Sequence, residues 1–552
     1  MRRIVGAIAL ASWALAGSAQ GAEAPLMRVT ITPGPMDEAQ GSGEVTIHET
    51  IPALVAPAGA PLFEVRGDRL EVSDALGPVP RLGEGDRFVP GRTISGDLTV
   101  RYRVRVENTP DNGGTTPIRP RLDGKGFAAL GMTMLVVPDR TAPYRVRLRW
   151  DLSAMGPGAT AVSSFGDGDV EVAAMPLARL DRSIFMAGVL HREPDPPDEG
   201  RFSAVWSGDP GFDLRPSMKW TRALHAWMVD FFRTPNDPAY RVFLRRNGAG
   251  NPGGGVAFPN SFFATWGPGV SGESLKNILG HEMVHTFTAH DLGKWYDEGN
   301  AVYYQVQLPW RAGMVSTETY LRDINLTAAR YYTSAEIHGR EADIEPNFFK
   351  NTWLNMLGYD RGALYFAALN GKIRRASGGK RSVDDLLREM VRRDRGGEVL
   401  TEAAWLDLVR AAAGEDAVAM HRSMLAGGII TPESEDYGPC FRRVSAKIRR
   451  YELGFTAKRL AGGKAEVTDL VTGSEAAKAG LRNGDVLVMP VITTEGVKRD
   501  VARTLTAPVT RDGKTFEATW LPRTAVTYDA WQWERAPGVP DAQCRPEEDR
   551  RG

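Results

Sequence analysis

Apolar and polar residues alternate strictly in two early stretches of the chain. In "LTVRYRVRV", Leu98, Val100, Tyr102, Val104 and Val106 fall on one face and the arginines on the other. "YRVRLRW" repeats the pattern with Tyr144, Val146, Leu148 and Trp150. A period of two marks a half-buried strand, so residues 25–205 are predicted to form a β-rich domain with its arginines on a solvated sheet face. "HREPDPPDEG" from His191 is rich in proline and acid and reads as a boundary or long loop. Beyond it the period lengthens. "LHAWMVDFFR" from Leu224 and residues 272–290 are predicted helices. Ser382 with Asp385 predicts a capped helix over "VDDLLREMVRRD", and Thr401 precedes "EAAWLDLVRAAAG", which stops at Gly414. "GGIITPESEDYGP", from Gly427 to Pro439, is another break.

A chain of 552 residues is too long for one ordinary core. Its 42% hydrophobic and 25% charged residues describe globular domains. The balance of 68 basic against 68 acidic residues gives no electrostatic reason to expect nucleic acid or a membrane surface as partner. The opening "MRRIVGAIALASWALAGSAQGAEA" pairs two arginines with a short apolar run and small residues. It is predicted to be a signal peptide over residues 1–22. The mature protein is then periplasmic or secreted, with no integral membrane segment after signal removal. Cys440 and Cys544 form a candidate disulfide in that setting, two separate thiols being the alternative.

Three of the eight histidines lie in "GHEMVHTFTAHDLGKWYDEGNAVYY". His281 and His285 are four apart, so one helix face presents both imidazoles to a single ion, while Leu275, Leu279, Met283 and Phe287 anchor the other side. Zn²⁺ accepts imidazole nitrogen and carboxylate oxygen, and a catalytic site needs a third protein ligand. His290, Asp291, Asp297 and Glu298 compete for that place. Glu298 is favoured, because a second helix starting at "WYDEGNAVYY" can project it back at the first. Glu282 is the expected general base.

With these residues in view, the chain resembles the glycyl-aminopeptidase family of gluzincin metallopeptidases. The motif H-E-x-x-H followed by W-x-x-E-G-x-x-x-Y-Y is matched by His281, Glu282, His285, Trp295, Glu298, Gly299, Tyr303 and Tyr304. "YDRGALYFAALNGKIRRASGGKRSVDDLLREM" is similar to the family's Tyr-x-x-Gly-Ala-Leu helix, which makes Tyr359 the hydroxyl that meets the transition state. "GGGVAFPNSFF" resembles its substrate strand, Gly-Gly-x-Glu-His-x-Asn-Ser, and the resemblance implies substrate contacts along Gly254, Gly255, Val256 and Ala257. Gly254, Gly255, Asn260 and Ser261 match, whereas Ala257 and Phe258 replace the glutamate and histidine. A glutamate at that strand helps hold the substrate's free amine in related aminopeptidases, so Ala257 opens the way to cleavage within a peptide. Pro259, lacking a donor, is expected to interrupt pairing along the strand. Leu453, Gly454 and Phe455, with "AAKAGLRNGDVLV", resemble a PDZ domain and its loop for a C-terminal carboxylate.

The resemblance implies a multidomain α+β architecture. An N-terminal β-sandwich-like domain (25–205) leads to a thermolysin-like catalytic domain with a helical C-terminal part (206–430), a PDZ domain (440–530) and a tail (531–552). The expected function is an exported metallopeptidase that uses one zinc ion per chain and acts on a peptide or protein substrate. The alternative is a catalytically silent envelope scaffold that binds peptide tails through the PDZ domain.

Overall fold

The structure, a computed structural model, describes residues 23–107, 119–138, 142–197, 201–247, 253–267, 269–288, 292–348, 350–460, 464–488 and 501–546. The expected signal peptide, His290 and Asp291 lie outside the described residues.

The alternating stretches are strands Ile94–Glu107 and Pro143–Trp150 of one seven-stranded sheet. Leu98, Val100, Tyr102, Val104 and Val106 are buried, while Arg101 and Arg105 face solvent. Their buried face packs on a second, five-stranded sheet through Phe127, Ala129, Phe185 and Ala187. That second sheet contains Gly126–Leu130 and Ile184–Gly188, "GFAAL" and "IFMAG", buried at every position. They do not alternate because both of their faces are covered. On the far face Ala128, Leu130, Val162, Ile184 and Met186 meet Val205, Phe243, Phe258 and Phe263 of a third sheet.

The third sheet runs in the order Leu190–Glu193, Phe202–Ser207, Tyr240–Arg246, Ser261–Trp266, Gly255–Phe258. The expected boundary at residue 206 falls inside its second strand. The sheet's other face, with Ala204, Trp206, Val242, Leu244, Phe262 and Ala264, joins the large helical core. Three sheets stacked face to face thus lead into helices, and the strand nearest the site, Gly255–Phe258, is an edge strand.

The helices follow their local signals. Gly272–Phe287 starts at Ser271, whose hydroxyl accepts from the Ser274 amide while Ser274 returns the bond. It ends at Phe287, before His290. Lys294–Arg311 and the 25-residue helix Thr352–Ala376 are packed against each other. Gly299 and Gly362 meet at their crossing, where a Cβ on Gly299 would lie 2.6 Å from the Gly362 Cα. Val383–Arg395 opens with the Ser382/Asp385 capping box, and Glu402–Ala413 with Thr401.

Past the helices, strands Phe441–Tyr451 and Arg523–Arg535 form a long antiparallel ribbon. Cys440 and Cys544, bonded with Cα atoms 5.0 Å apart, close its base. At its far end sits a separate five-stranded sheet, ordered Thr456–Arg459, Lys464–Thr468, Val486–Val488, Leu505–Arg511, Lys514–Trp520, with its own small core around Val467, Leu487 and Trp520. Among the described residues, no helix is long and apolar enough to cross a membrane.

Candidate metal centre

Two helices build the centre. His281 and His285 project from Gly272–Phe287, and Glu298 projects from the first turns of Lys294–Arg311. The helices approach closely because Gly280 faces the neighbouring backbone. A Cβ there would lie 2.5 Å from the Gln305 carbonyl oxygen. His281 Nε2 and His285 Nε2 are 3.1 Å apart. Glu298 Oε2 lies 3.4 Å from the first and 3.2 Å from the second. Ligands held about 2.1 Å from one Zn²⁺ in a tetrahedron are about 3.4 Å apart, so two nitrogens and an oxygen at this spacing fit the ion.

Burial makes the set chemically demanding. His281 and His285 are buried and Glu298 is half-buried. Burial alone raises the Glu298 pKa, but hydrogen bonds from both imidazoles outweigh it and hold the carboxyl well below its usual range. Burial pulls His281 down, yet Glu298 and Glu282 carry it above the ordinary imidazole value. His285 is lowered, chiefly by burial.

Sequence reasoning missed Gln305. Its Oε1 lies 3.1 Å from His281 Nδ1, and its Nε2 donates to Asp323 at 3.2 Å. When a metal takes the place of the Nε2 proton, Nδ1–H donating to Gln305 would keep the His281 tautomer whose Nε2 lone pair faces the metal position. The available signal was spacing: Gln305 comes seven residues after Glu298, two turns along the same helix face.

Glu282 lies beside the ligands, buried against the edge strand. A Cβ on Gly255 would sit 2.4 Å from Glu282 Cγ and 2.6 Å from its Oε1, so glycine is what lets backbone and carboxylate touch. Gly254 is held to the sheet by its carbonyl, which accepts from the Thr265 amide and hydroxyl. Val256 and Ala257 are half-buried. Pro259 and Asn260 form the turn after this strand, with Asn260 at φ 54°. The expected interruption of pairing is therefore corrected: Gly255 to Phe258 pair continuously with Ala264 to Ser261, because the proline lies past the strand's end.

Tyr359, half-buried on Thr352–Ala376, stacks on His281 with ring centroids 5.9 Å apart. Phe348 also stacks on Tyr359, with centroids 6.0 Å apart. The remaining aromatics of the motif hold the helices. Trp295 packs on Tyr365, Trp405 and His421, and Tyr304 donates to Asp384 at 2.6 Å. Asp384 also pairs with Arg311 at 2.7 Å. Asp297 is buried, 4.0 Å from Lys294, and stands outside the ligand triad.

In the C-terminal sheet domain, Leu453 and Gly454 precede the edge strand Thr456–Arg459, and Phe455 is buried in the small core. The Leu453 carbonyl accepts from Trp520 Nε1 at 3.2 Å and the Gly454 carbonyl from the Val471 amide at 2.8 Å.

No family model matches the chain, and neither does any curated protein. Solved structures do. An aminopeptidase N family protein from Idiomarina loihiensis is 15% identical over 95% of this chain and 99% of its own length, with a TM-score of 0.66. An M1 zinc metallopeptidase from Deinococcus radiodurans, in a mutant form bound to a Tyr-Ser-Ala substrate, is 17% identical over 74% of this chain and 95% of its own, with a TM-score of 0.48. This chain thus has the overall fold of the aminopeptidase N family protein, with two imidazoles and a carboxylate gathered at its centre.

Proposed function

We propose that the protein is an exported zinc-dependent peptidase that hydrolyses peptide bonds by attack of an activated water. The carrying observation is the ligand triad at tetrahedral spacing with Glu282 beside it, facing an edge strand. Zinc, when bound by His281, His285 and Glu298, would supply a Lewis acid that brings the pKa of a water towards ~7.

The chain's own groups do the rest. The edge strand Gly255–Phe258 pairs with the extended backbone of a substrate and lays its carbonyl next to Glu282. Glu282 takes the proton of the attacking water and returns it to the leaving amine. The Tyr359 hydroxyl, on a ring that stacks with His281 and with Phe348, donates a hydrogen bond to the oxyanion.

The finer reading is a glycyl-aminopeptidase-like enzyme. Ala257, in place of a glutamate, withdraws one anchor for a free amine and extends the reading to cuts inside a peptide. The C-terminal sheet domain is read as a PDZ domain that takes a peptide tail along Thr456–Arg459, with Leu453, Gly454 and Phe455 at its head.

The test is to load the full mature chain with zinc and analyse products from a peptide library by mass spectrometry, with Glu282→Gln as control. Cleavage by the wild type and its loss in the variant are expected. Equal products from both proteins would refute the assignment.

A further inference from the structure

The geometry points to Lys294 as a specificity-determining residue that receives a carboxylate of the substrate, making acidic peptides the preferred class. The inference rests on the peptidase reading above.

Lys294 opens the helix that carries Glu298, one turn before it and on the same face. Its side chain starts against the helix that carries Tyr359. A Cβ on Gly358, next to Tyr359, would lie 2.9 Å from the Lys294 Cβ. The ammonium sits 4.9 Å from the ring centroid of Phe348, the ring stacked on Tyr359, which is itself stacked on His281.

Local electrostatics argue against a purely structural role. A cation at the first residue of a helix faces the positive end of the helix dipole, where an acid would be the stabilising choice. Its two carboxylate contacts among the described residues, Asp297 Oδ2 and Glu345 Oε2, are both at 4.0 Å, the outer limit of an ion pair. Glu345 is 74% exposed, so solvent screens that contact. The ammonium is held in place by Phe348 and only loosely satisfied by its neighbours. A carboxylate arriving at hydrogen-bonding distance, beside a dry aromatic wall, is the stronger partner.

The test compares peptides identical except for one glutamate or glutamine, walked along the sequence, on zinc-loaded wild type and Lys294→Met. Methionine keeps an apolar stem on Phe348 and removes the charge. For the best position the wild type is expected to favour glutamate by about 10-fold in kcat/KM, and the ratio to collapse to about 1 in the variant, with Lys294→Arg restoring part of it. The same ratio is expected in peptide Kd measured on Glu282→Gln, which separates binding from turnover. Cleavage with no charge preference at any position overturns this inference alone, as does a preference that survives Lys294→Met. A merely structural lysine would lower the midpoint of unfolding and leave the glutamate-to-glutamine ratio where it was. Failure to cleave any peptide overturns the peptidase reading and this inference with it.

Discussion

Gly255 of the edge strand lies directly against Glu282 of the metal helix, so closely that a single methyl group would collide with the carboxylate. The strand that would carry the substrate and the group that would move its proton are therefore set by one contact. Gly255→Ala is expected to push Glu282 aside and lower kcat about 100-fold, since a displacement near 1 Å at the reacting groups costs about that much. Zinc content should stay at the wild-type level. A variant with wild-type kcat would show that this contact does not position the base.

Gln305 fixes the His281 tautomer from behind. Gln305→Leu removes the acceptor for Nδ1–H without adding a charge. Zinc affinity, measured by competition with a chelator, is expected to weaken about 10- to 100-fold. Unchanged affinity would assign Gln305 to packing alone.

Glu49 gives the N-terminal domain a pH dependence of its own. Burial drives its pKa up from 4.5 to about 8, against the lowering effect of hydrogen bonds from the Val136 amide and the Tyr102 hydroxyl. The folded state therefore binds this proton more tightly than the unfolded state. The stability it contributes is complete below about pH 4.5 and is lost as pH rises towards about 8. Glu49→Gln is expected to match the wild type at pH 5 and exceed it by a few kcal/mol at pH 8, read from urea unfolding of the full chain. A wild type that gains on the variant as pH rises would reverse the sign of the argument.

Legibility in the sequence followed the range of the interaction. The His281–His285 spacing, the Ser382 cap and the alternation around Tyr102 are local, and each appears in the structure where the sequence placed it. Glu298 was reachable because a second helix start was visible three residues before it. The sheet of "GFAAL" and "IFMAG" was not separable from its neighbours, because burial on both faces erases alternation. Nor could sequence show that this sheet is the middle layer of three, or that the strand Phe202–Ser207 belongs with the third sheet, which carries the edge strand Gly255–Phe258. Pro259 misled for a simpler reason. Its missing donor matters only inside a strand, and it sits in the turn. Gln305 was signalled by its spacing from Glu298, whereas the Lys294 contacts and the Gly299–Gly362 crossing arise only when helices meet.

The most direct measurement is zinc content by native mass spectrometry of the full mature chain, wild type beside Glu298→Ala and Glu282→Gln. One zinc per chain is expected in the wild type and in Glu282→Gln, which keeps every ligand, and a large loss in Glu298→Ala. A wild type without zinc, or a Glu298→Ala protein that retains a full complement, would contradict the two-helix metal centre.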